Sequence, residues 1–189
     1  MNGYWCYHKN RWSPEYCKDI LNRVDLTAYL IGTVGNGKVD ASIRRSKVQF
    51  IQATDTNFND VFSDIWAMAL EANLKFFNFH ISKLDFIQIT KYDADDLSEY
   101  KSHKDVFWLN DDPIYHRKLS CSIQLSDPND YDGGDFKILN IDTAEPTPED
   151  VRSQGTAIFF PSFIDHRVTP ITRGTRYSIV GWFEGPKWR

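Results

Sequence analysis

Cysteine is scarce in this chain: Cys6, Cys17 and Cys121 are the three among 189 residues. An odd number without a CxxC pair suggests neither a disulfide framework nor a cysteine zinc site, and it fits a reducing compartment. Ten Gly and eight Pro are too few for a collagenous or low-complexity chain. Basic charge is not in excess either, with 22 Lys plus Arg against 26 Asp plus Glu and a net charge of −4. That balance leaves no electrostatic footprint for a phosphate-rich partner and argues against nucleic acid as an obligate one. No apolar run approaches the roughly 20 residues that cross a bilayer. The stretch from Met1 to Lys9 lacks the basic start and apolar core of a signal peptide. The expectation is a soluble, cytoplasmic protein with no membrane partner.

What is present is apolar and aromatic: 41% hydrophobic residues and 15% aromatic ones suffice to bury one real core. No linker or internal repeat divides residues 1–189, so a single domain is expected, with a helix-rich support over 1–80 and a β-rich core over 84–184. Ser13-Pro14-Glu15 reads as an N-cap followed by Pro at the first helical position, which predicts a helix near 14–25. Between Asn57 and Phe76, the residues Phe58, Val61, Phe62, Ile65, Met68, Ala69, Ala72 and Phe76 step by three and four, the stripe of a long amphipathic helix. A strand is predicted at Arg44 to Ile51 after the Val34 to Lys38 loop, its basic cluster read as a solvated face. Beyond residue 77, short alternating runs cover Leu84 to Tyr92, Leu119 to Leu125, Asp135 to Leu139, Thr156 to Phe160 and Tyr177 to Phe183. Asp127-Pro128-Asn129-Asp130, Asp132-Gly133-Gly134 and Arg173-Gly174 separate them as turns, and Thr143 to Gln154 is a polar connection. Helices followed by many short strands argue for an α+β fold with a sandwich or jelly roll.

His103-Lys104-Asp105 places two metal-ligand side chains two residues apart, on one side of an extended segment. His166 follows the run Gly155 to Ser162, where a strand ends and presents it. Two His and one carboxylate can cap one face of Fe(II) and leave positions open; three protein ligands equally describe a catalytic zinc site. The other histidines, His8, His80 and His116, lack further metal-ligand residues at useful spacing. Cys121 falls on the apolar face of its strand and reads as a small buried hydrophobe.

Ten residues after His166, beyond a Pro-containing turn and Arg173-Gly174, stands Arg176. The order Tyr92, Tyr100-x-x-His103-x-Asp105, Arg117-x-x-Ser120, Tyr131-x-Gly133-Gly134, Phe160-Pro161-Ser162, His166-x-Val168, Arg176 and Trp182 resembles the prolyl 4-hydroxylase family of 2-oxoglutarate and Fe(II)-dependent oxygenases, especially its small PKHD-type branch. The likeness spans about residues 84–184. It implies a double-stranded β-helix, jelly-roll and cupin-like, carried on N-terminal supporting helices, in which His103, Asp105 and His166 hold Fe(II). It also implies that Arg176 holds the far carboxylate of 2-oxoglutarate. A guanidinium suits that role because it is permanently charged and its planar fork matches a carboxylate. Tyr92, Tyr100 and Trp182 are expected to line the cosubstrate site. Several relatives carry Tyr where this chain has Gln124, and Gln124 is expected to donate an amide N–H to that carboxylate in its place. Arg117 resembles a substrate-side arginine, and Trp108, in the aromatic stretch after Asp105, is expected to pack on substrate.

The resemblance implies a dioxygenase that consumes O2 and 2-oxoglutarate, releases succinate and CO2 and hydroxylates an unactivated C–H bond, with ascorbate as reductant of oxidised iron. It favours a peptidyl proline over a small molecule as substrate. Free amino acids, nucleobases and metabolites are alternatives within the same chemistry. A catalytically silent metal- or peptide-binding jelly roll and a zinc hydrolase are the alternatives outside it.

Overall fold

The computed structural model describes residues 3–25, 27–35, 37–106 and 115–188. Its first elements are β1 (Cys6–His8) and α1 (Pro14–Arg23). The Ser13 side chain accepts the Tyr16 N–H at 3.2 Å, so α1 starts where the sequence predicts. It ends at Arg23 and turns Cys17 and Ile20 inward. The strands β2 (Leu30–Ile31), β3 (Arg44–Arg45) and β4 (Lys47–Gln52) follow, then α2 (Asn59–Ala72).

The second helical segment departs from the predicted uniform helix. A 3-10 turn at Thr56–Phe58 opens it, and a π turn at Asn73–Phe77 closes it against Asn78, whose φ is 54°. The wider turn shifts the buried stripe by one residue. Phe77 is therefore buried, whereas Phe76, assigned to the core from its spacing, is exposed. The Asn73 carboxamide accepts the Phe79 N–H and donates to the Phe79 carbonyl, both at 2.8 Å, which fixes the exit from the turn.

The remaining elements are β5 (Phe86–Asp93), β6 (Glu99–His103), β7 (Tyr115–Gln124), β8 (Tyr131–Gly133), β9 (Phe136–Ile138), α3 (Pro148–Val151), β10 (Ala157–Pro161), β11 (His166–Val168) and β12 (Ile171–Pro186). They form two antiparallel sheets. The larger runs β1-β10-β7-β12-β5-β4-β2, with β8 also paired to β12, and the smaller runs β3-β6-β11-β9. This is the jelly-roll arrangement of two facing sheets.

Alternation along the central strands divides the interior. Ile87 and Ile89 of β5, Leu119, Cys121 and Ile123 of β7, and Ile179 and Phe183 of β12 pack on one side with Ile65, Met68 and Ala69 of α2. The opposite face of the same strands carries Gln88, Thr90, Ser120, Ser122, Gln124 and Ser178, all buried. A buried polar face needs hydrogen-bonding work to do; Gln88, Ser122 and Ser178 of this face form the floor of a cavity. Tyr131, Phe136, Ile158, Phe160 and Val168 make a second apolar cluster beside that floor. No helix among the described residues is long and apolar enough to cross a membrane.

Candidate active site

Strands β6 and β11 pair so that His166 lies directly opposite His103, bringing together residues 63 positions apart in sequence. Asp105 is anchored just beyond β6, where its N–H donates to the Ser162 carbonyl at 2.9 Å. One ligand atom from each of His103, Asp105 and His166 lies within 4.8 Å of the others. The His103 Nε2 is 3.8 Å from Asp105 Oδ1, and the His166 Nε2 is 3.6 Å from Asp105 Oδ2.

The backbone decides which nitrogens face inward. His103 Nδ1 is 2.8 Å from the Lys101 carbonyl, and His166 Nδ1 is 3.0 Å from the Ile164 carbonyl. A carbonyl oxygen can only accept, so each Nδ1 carries the hydrogen and each Nε2 presents a lone pair. Burial, with His166 alongside, pushes His103 down to about 4, so its imidazole is neutral at physiological pH. Burial alone would raise Asp105, but the two imidazoles, Arg117 and the Ser120 hydroxyl together hold it below its ordinary value. Ser120 Oγ donates to Asp105 Oδ2 at 2.7 Å and is 2.9 Å from Ser162 Oγ. Two lone pairs and one carboxylate whose ligand atoms lie within 4.8 Å of one another fit a divalent metal.

The three residues open into a cavity of about 440 Å³ that Tyr92, Tyr100, Arg117, Arg176 and Trp182 also line. Arg176, Ser178, Val180 and Trp182 face it together from alternate positions of β12. Arg176 is only 4% exposed, and among the described residues its Nη1 has no hydrogen-bond partner; nor do the buried Ser178 Oγ and Trp182 Nε1. A buried guanidinium nitrogen without an acceptor fits an anionic group supplied from outside the chain. Gly133 and Gly134 let the chain pass close behind Arg176. Both have positive φ, and a Cβ on Gly134 would lie 3.1 Å from Arg176 Cδ and 2.3 Å from Ile171 Cδ1.

Gln124 is placed differently from its expected role. It does not line the cavity. Its Oε1 accepts from Arg176 Nε at 3.0 Å, while its Nε2 donates to Tyr131 Oη at 2.8 Å and to the Ser126 carbonyl at 3.2 Å. On the opposite side, Arg117 lies 4.2 Å from the centre of the Trp182 indole and 4.0 Å from Glu184. Trp182 packs on Phe86, and Phe86 meets Phe50 edge to face. Trp108 lies outside the described residues, as does all of 107–114.

Two wall residues escaped the sequence reading. Ser178 was visible in the alternation of its strand but carried no motif. Arg44, assigned to a solvated basic face, is 7% exposed. It donates to Ser46 Oγ and to the Thr33 carbonyl, and its guanidinium lies 4.5 Å from the Tyr100 ring centre. The correction has a simple cause: Arg44, Ser46 and Val48 alternate on one face, and the pairing of β3 with β6 sets Arg44 beside Tyr100 on the cavity wall. That two-residue period was the available signal. Arg45, on the other face, is partly exposed and paired with Glu99.

The sequence profile of the 2OG-Fe(II) oxygenase superfamily matches residues 87–184, which contain all three metal-ligand candidates and Arg176. The chain belongs to the 2OG-Fe(II) oxygenase superfamily. Among similar proteins, this superfamily member is 35% identical over 123 residues to a PKHD-type hydroxylase of Synechococcus sp. (strain JA-2-3B'a(2-13)), covering 64% of this chain and 53% of that protein. It is 28% identical over 172 residues to a PKHD-type hydroxylase of Aliarcobacter butzleri (strain RM4018), covering 89% and 71%. The chain spans about half the length of the first of these curated relatives. Among solved structures, a Pseudomonas putida prolyl-4-hydroxylase superposes with a TM-score of 0.71 at 20% identity, covering 97% of this chain and 94% of that one. A Trichoplax adhaerens prolyl hydroxylase, solved with a peptide fragment of hypoxia inducible factor, gives 0.74 at 16% identity over 95% and 83%. The superfamily fold and the double-stranded β-helix are thereby shared.

Proposed function

We propose that this superfamily member is a hydroxylase that uses Fe(II), 2-oxoglutarate and O2 and acts on a peptide, at a prolyl residue. The observation that carries the reading is the grouping of the two Nε2 lone pairs and Asp105 in a cavity also lined by Arg176, whose buried Nη1 has no partner among the described residues. His103, Asp105 and His166 would hold the metal, and Arg176 the far carboxylate of the cosubstrate. When bound, the metal would activate O2, which is the oxidant; two of the four electrons it takes up would come from decarboxylation of the cosubstrate to succinate and CO2, and two from the unactivated C–H bond.

The chain's own groups bind and orient. The Lys101 and Ile164 carbonyls set both imidazole tautomers, and Ser120 steadies the carboxylate. Phe136 and Phe160 pack against His166, with centroids 5.7 and 4.6 Å away, and keep water from the back of the site. Phe50, Phe86 and Trp182 form an aromatic ledge capped by Arg117. Aromatic surfaces of this kind accept the preformed, extended conformation of proline-containing peptides. The buried Trp182 Nε1 has no partner among the described residues, and a substrate carbonyl would give it one. The peptide bound to the Trichoplax neighbour supports the same substrate class. Ascorbate is proposed as the reductant that restores oxidised iron, and the cytoplasm as the working compartment.

The test is succinate formation from 2-oxoglutarate by Fe(II)-loaded protein in air, with and without proline-containing peptides, read alongside peptide mass. Peptide-stimulated succinate and a 16 Da gain on proline, both lost in His166→Ala, are expected. Succinate without peptide modification would move the substrate to a small molecule. No succinate under any condition would overturn the oxygenase reading.

A further inference from the structure

One cation of the cavity wall has no counter-charge. Among the described lining residues, the ionised side chains are Arg44, Lys104, Arg117, Arg176 and Asp105, so cations outnumber carboxylates. Lys104 has Asp165 at 3.7 Å, and Arg117 has Glu184 at 4.0 Å. Arg176 is assigned above to the cosubstrate. The charges of Fe(II) and 2-oxoglutarate cancel, so loading the site does not change that balance. Arg44 is left, and among the described residues its hydrogen bonds go only to neutral groups.

A charge buried to this degree is ordinarily paired, and Arg44 is 7% exposed. Its fork is held in place from one edge: Nε donates to Ser46 Oγ at 2.8 Å and Nη1 to the Thr33 carbonyl at 2.9 Å. Gly32 makes the room for this, since a Cβ there would lie 2.6 Å from Arg44 Nε and 2.7 Å from Ser46 Oγ. The Tyr100 ring lies 4.5 Å from the guanidinium, an attraction that brings no opposite charge. Of the five N–H donors of a guanidinium, the two on Nη2 have no acceptor among the described residues. The group is thus fixed, charged and incompletely used, on a residue that lines the cavity.

Tyr100 is also the neighbour of His103, with ring centres 3.5 Å apart. An extended peptide advances about 3.4 Å per residue, so the guanidinium stands within about three residues' reach of the metal-ligand group. Resting on the hydroxylase reading above, we propose that Arg44 receives a carboxylate of the peptide substrate, carried within about three residues of the target proline, and so selects acidic peptides. The planar fork suits a carboxylate. A neutral peptide in the same place leaves the buried cation without its counter-charge.

The test is calorimetric titration of Mn(II)-loaded, 2-oxoglutarate-saturated protein with proline peptides, without O2. The peptides are acetylated and amidated, and a single Glu, or its isostere Gln, is walked through the neighbouring positions on both sides of the proline. Wild type is expected to bind at least one Glu peptide about tenfold more tightly than its Gln counterpart, the worth of a hydrogen bond to a charged group. A Gln peptide with a free C-terminus close after the proline separates a terminal carboxylate from a side-chain one, and preference for either supports the assignment. Arg44→Gln should bring acidic and neutral peptides level. Ser46→Asp, which sets a carboxylate against Arg44 Nε while the guanidinium stays over Tyr100, should do the same and serves if Arg44→Gln does not fold. Equal binding of every peptide by wild type, or a preference that survives in either folded variant, overturns the proposal. If Mn(II)-loaded wild type binds no 2-oxoglutarate, the oxygenase reading fails and this inference with it; 2-oxoglutarate binding without any carboxylate preference sinks the inference alone.

Discussion

The ring of Tyr100 lies flat on the imidazole of His103, centroids 3.5 Å apart and planes 14° from parallel. The Arg44 guanidinium sits 4.5 Å from the same phenol centre. Tyr100 thus packs against the Arg44 guanidinium and the His103 imidazole at once. The column ties a β3 residue to a candidate metal ligand of β6.

Loss of Arg44 therefore frees one side of Tyr100 and loosens the His103 ring. Arg44→Ala is expected to weaken Co(II) binding by about tenfold, at the lower end of the range for residues that orient metal ligands. Arg44→Lys keeps the cation over the ring and should recover part of that loss. A visible-absorption titration with Co(II) measures both.

Ser120 acts on the carboxylate in the same way. Its hydroxyl is the donor to Asp105 Oδ2 and is itself linked to Ser162. Ser120→Ala should lower metal affinity by about tenfold with little change in the far-ultraviolet circular dichroism. Ser120→Thr should retain binding.

Asp60 joins the two N-terminal helices: Tyr16 Oη donates to it at 2.7 Å and Arg23 Nη1 at 2.8 Å. The Arg23 hydrogen bond, ahead of the Tyr16 one, holds Asp60 down to about 2 against 3.8 for an ordinary aspartate. A lowered carboxylate contributes its stability in full above the unfolded value and loses it as pH falls through the folded one. The Asp60 side chain is 48% exposed, so solvent screening reduces the contribution to about 1 kcal/mol or less. Asp60→Asn should lower the melting temperature at pH 7 by a few degrees, and the difference from wild type should shrink between pH 4 and pH 2.

Cys121 is fully buried, and burial pushes its thiol up to about 12. Iodoacetamide should leave it unmodified in the native protein and label it after unfolding. Cys121→Ser buries a hydroxyl in the apolar cluster and should cost about 1–3 kcal/mol in denaturant unfolding, with the peptide-stimulated succinate rate unchanged.

The lines of the jelly roll were readable because a strand with one polar and one apolar face announces itself at every second residue. Leu119, Cys121 and Ile123 are separable from Ser120, Ser122 and Gln124 by that period alone. His103, Asp105, His166 and Arg176 stood out by residue type and order, and the fold gathers them around one cavity. The slip from Phe76 to Phe77 was not readable, since a π turn forms where packing at the helix end rewards it and local spacing does not record that packing.

Local pattern determined which residues share a face, because side-chain direction follows backbone period. Tertiary structure decided what each face meets. Arg44 became a buried wall residue only because β3 pairs with β6, more than fifty residues away. Gln124 turned its amide from the cavity only because Tyr131 and Arg176 arrive from other strands to occupy it. Hydrogen bonds of buried polar groups must be closed somewhere, and their partners are chosen by contacts that no window of sequence contains.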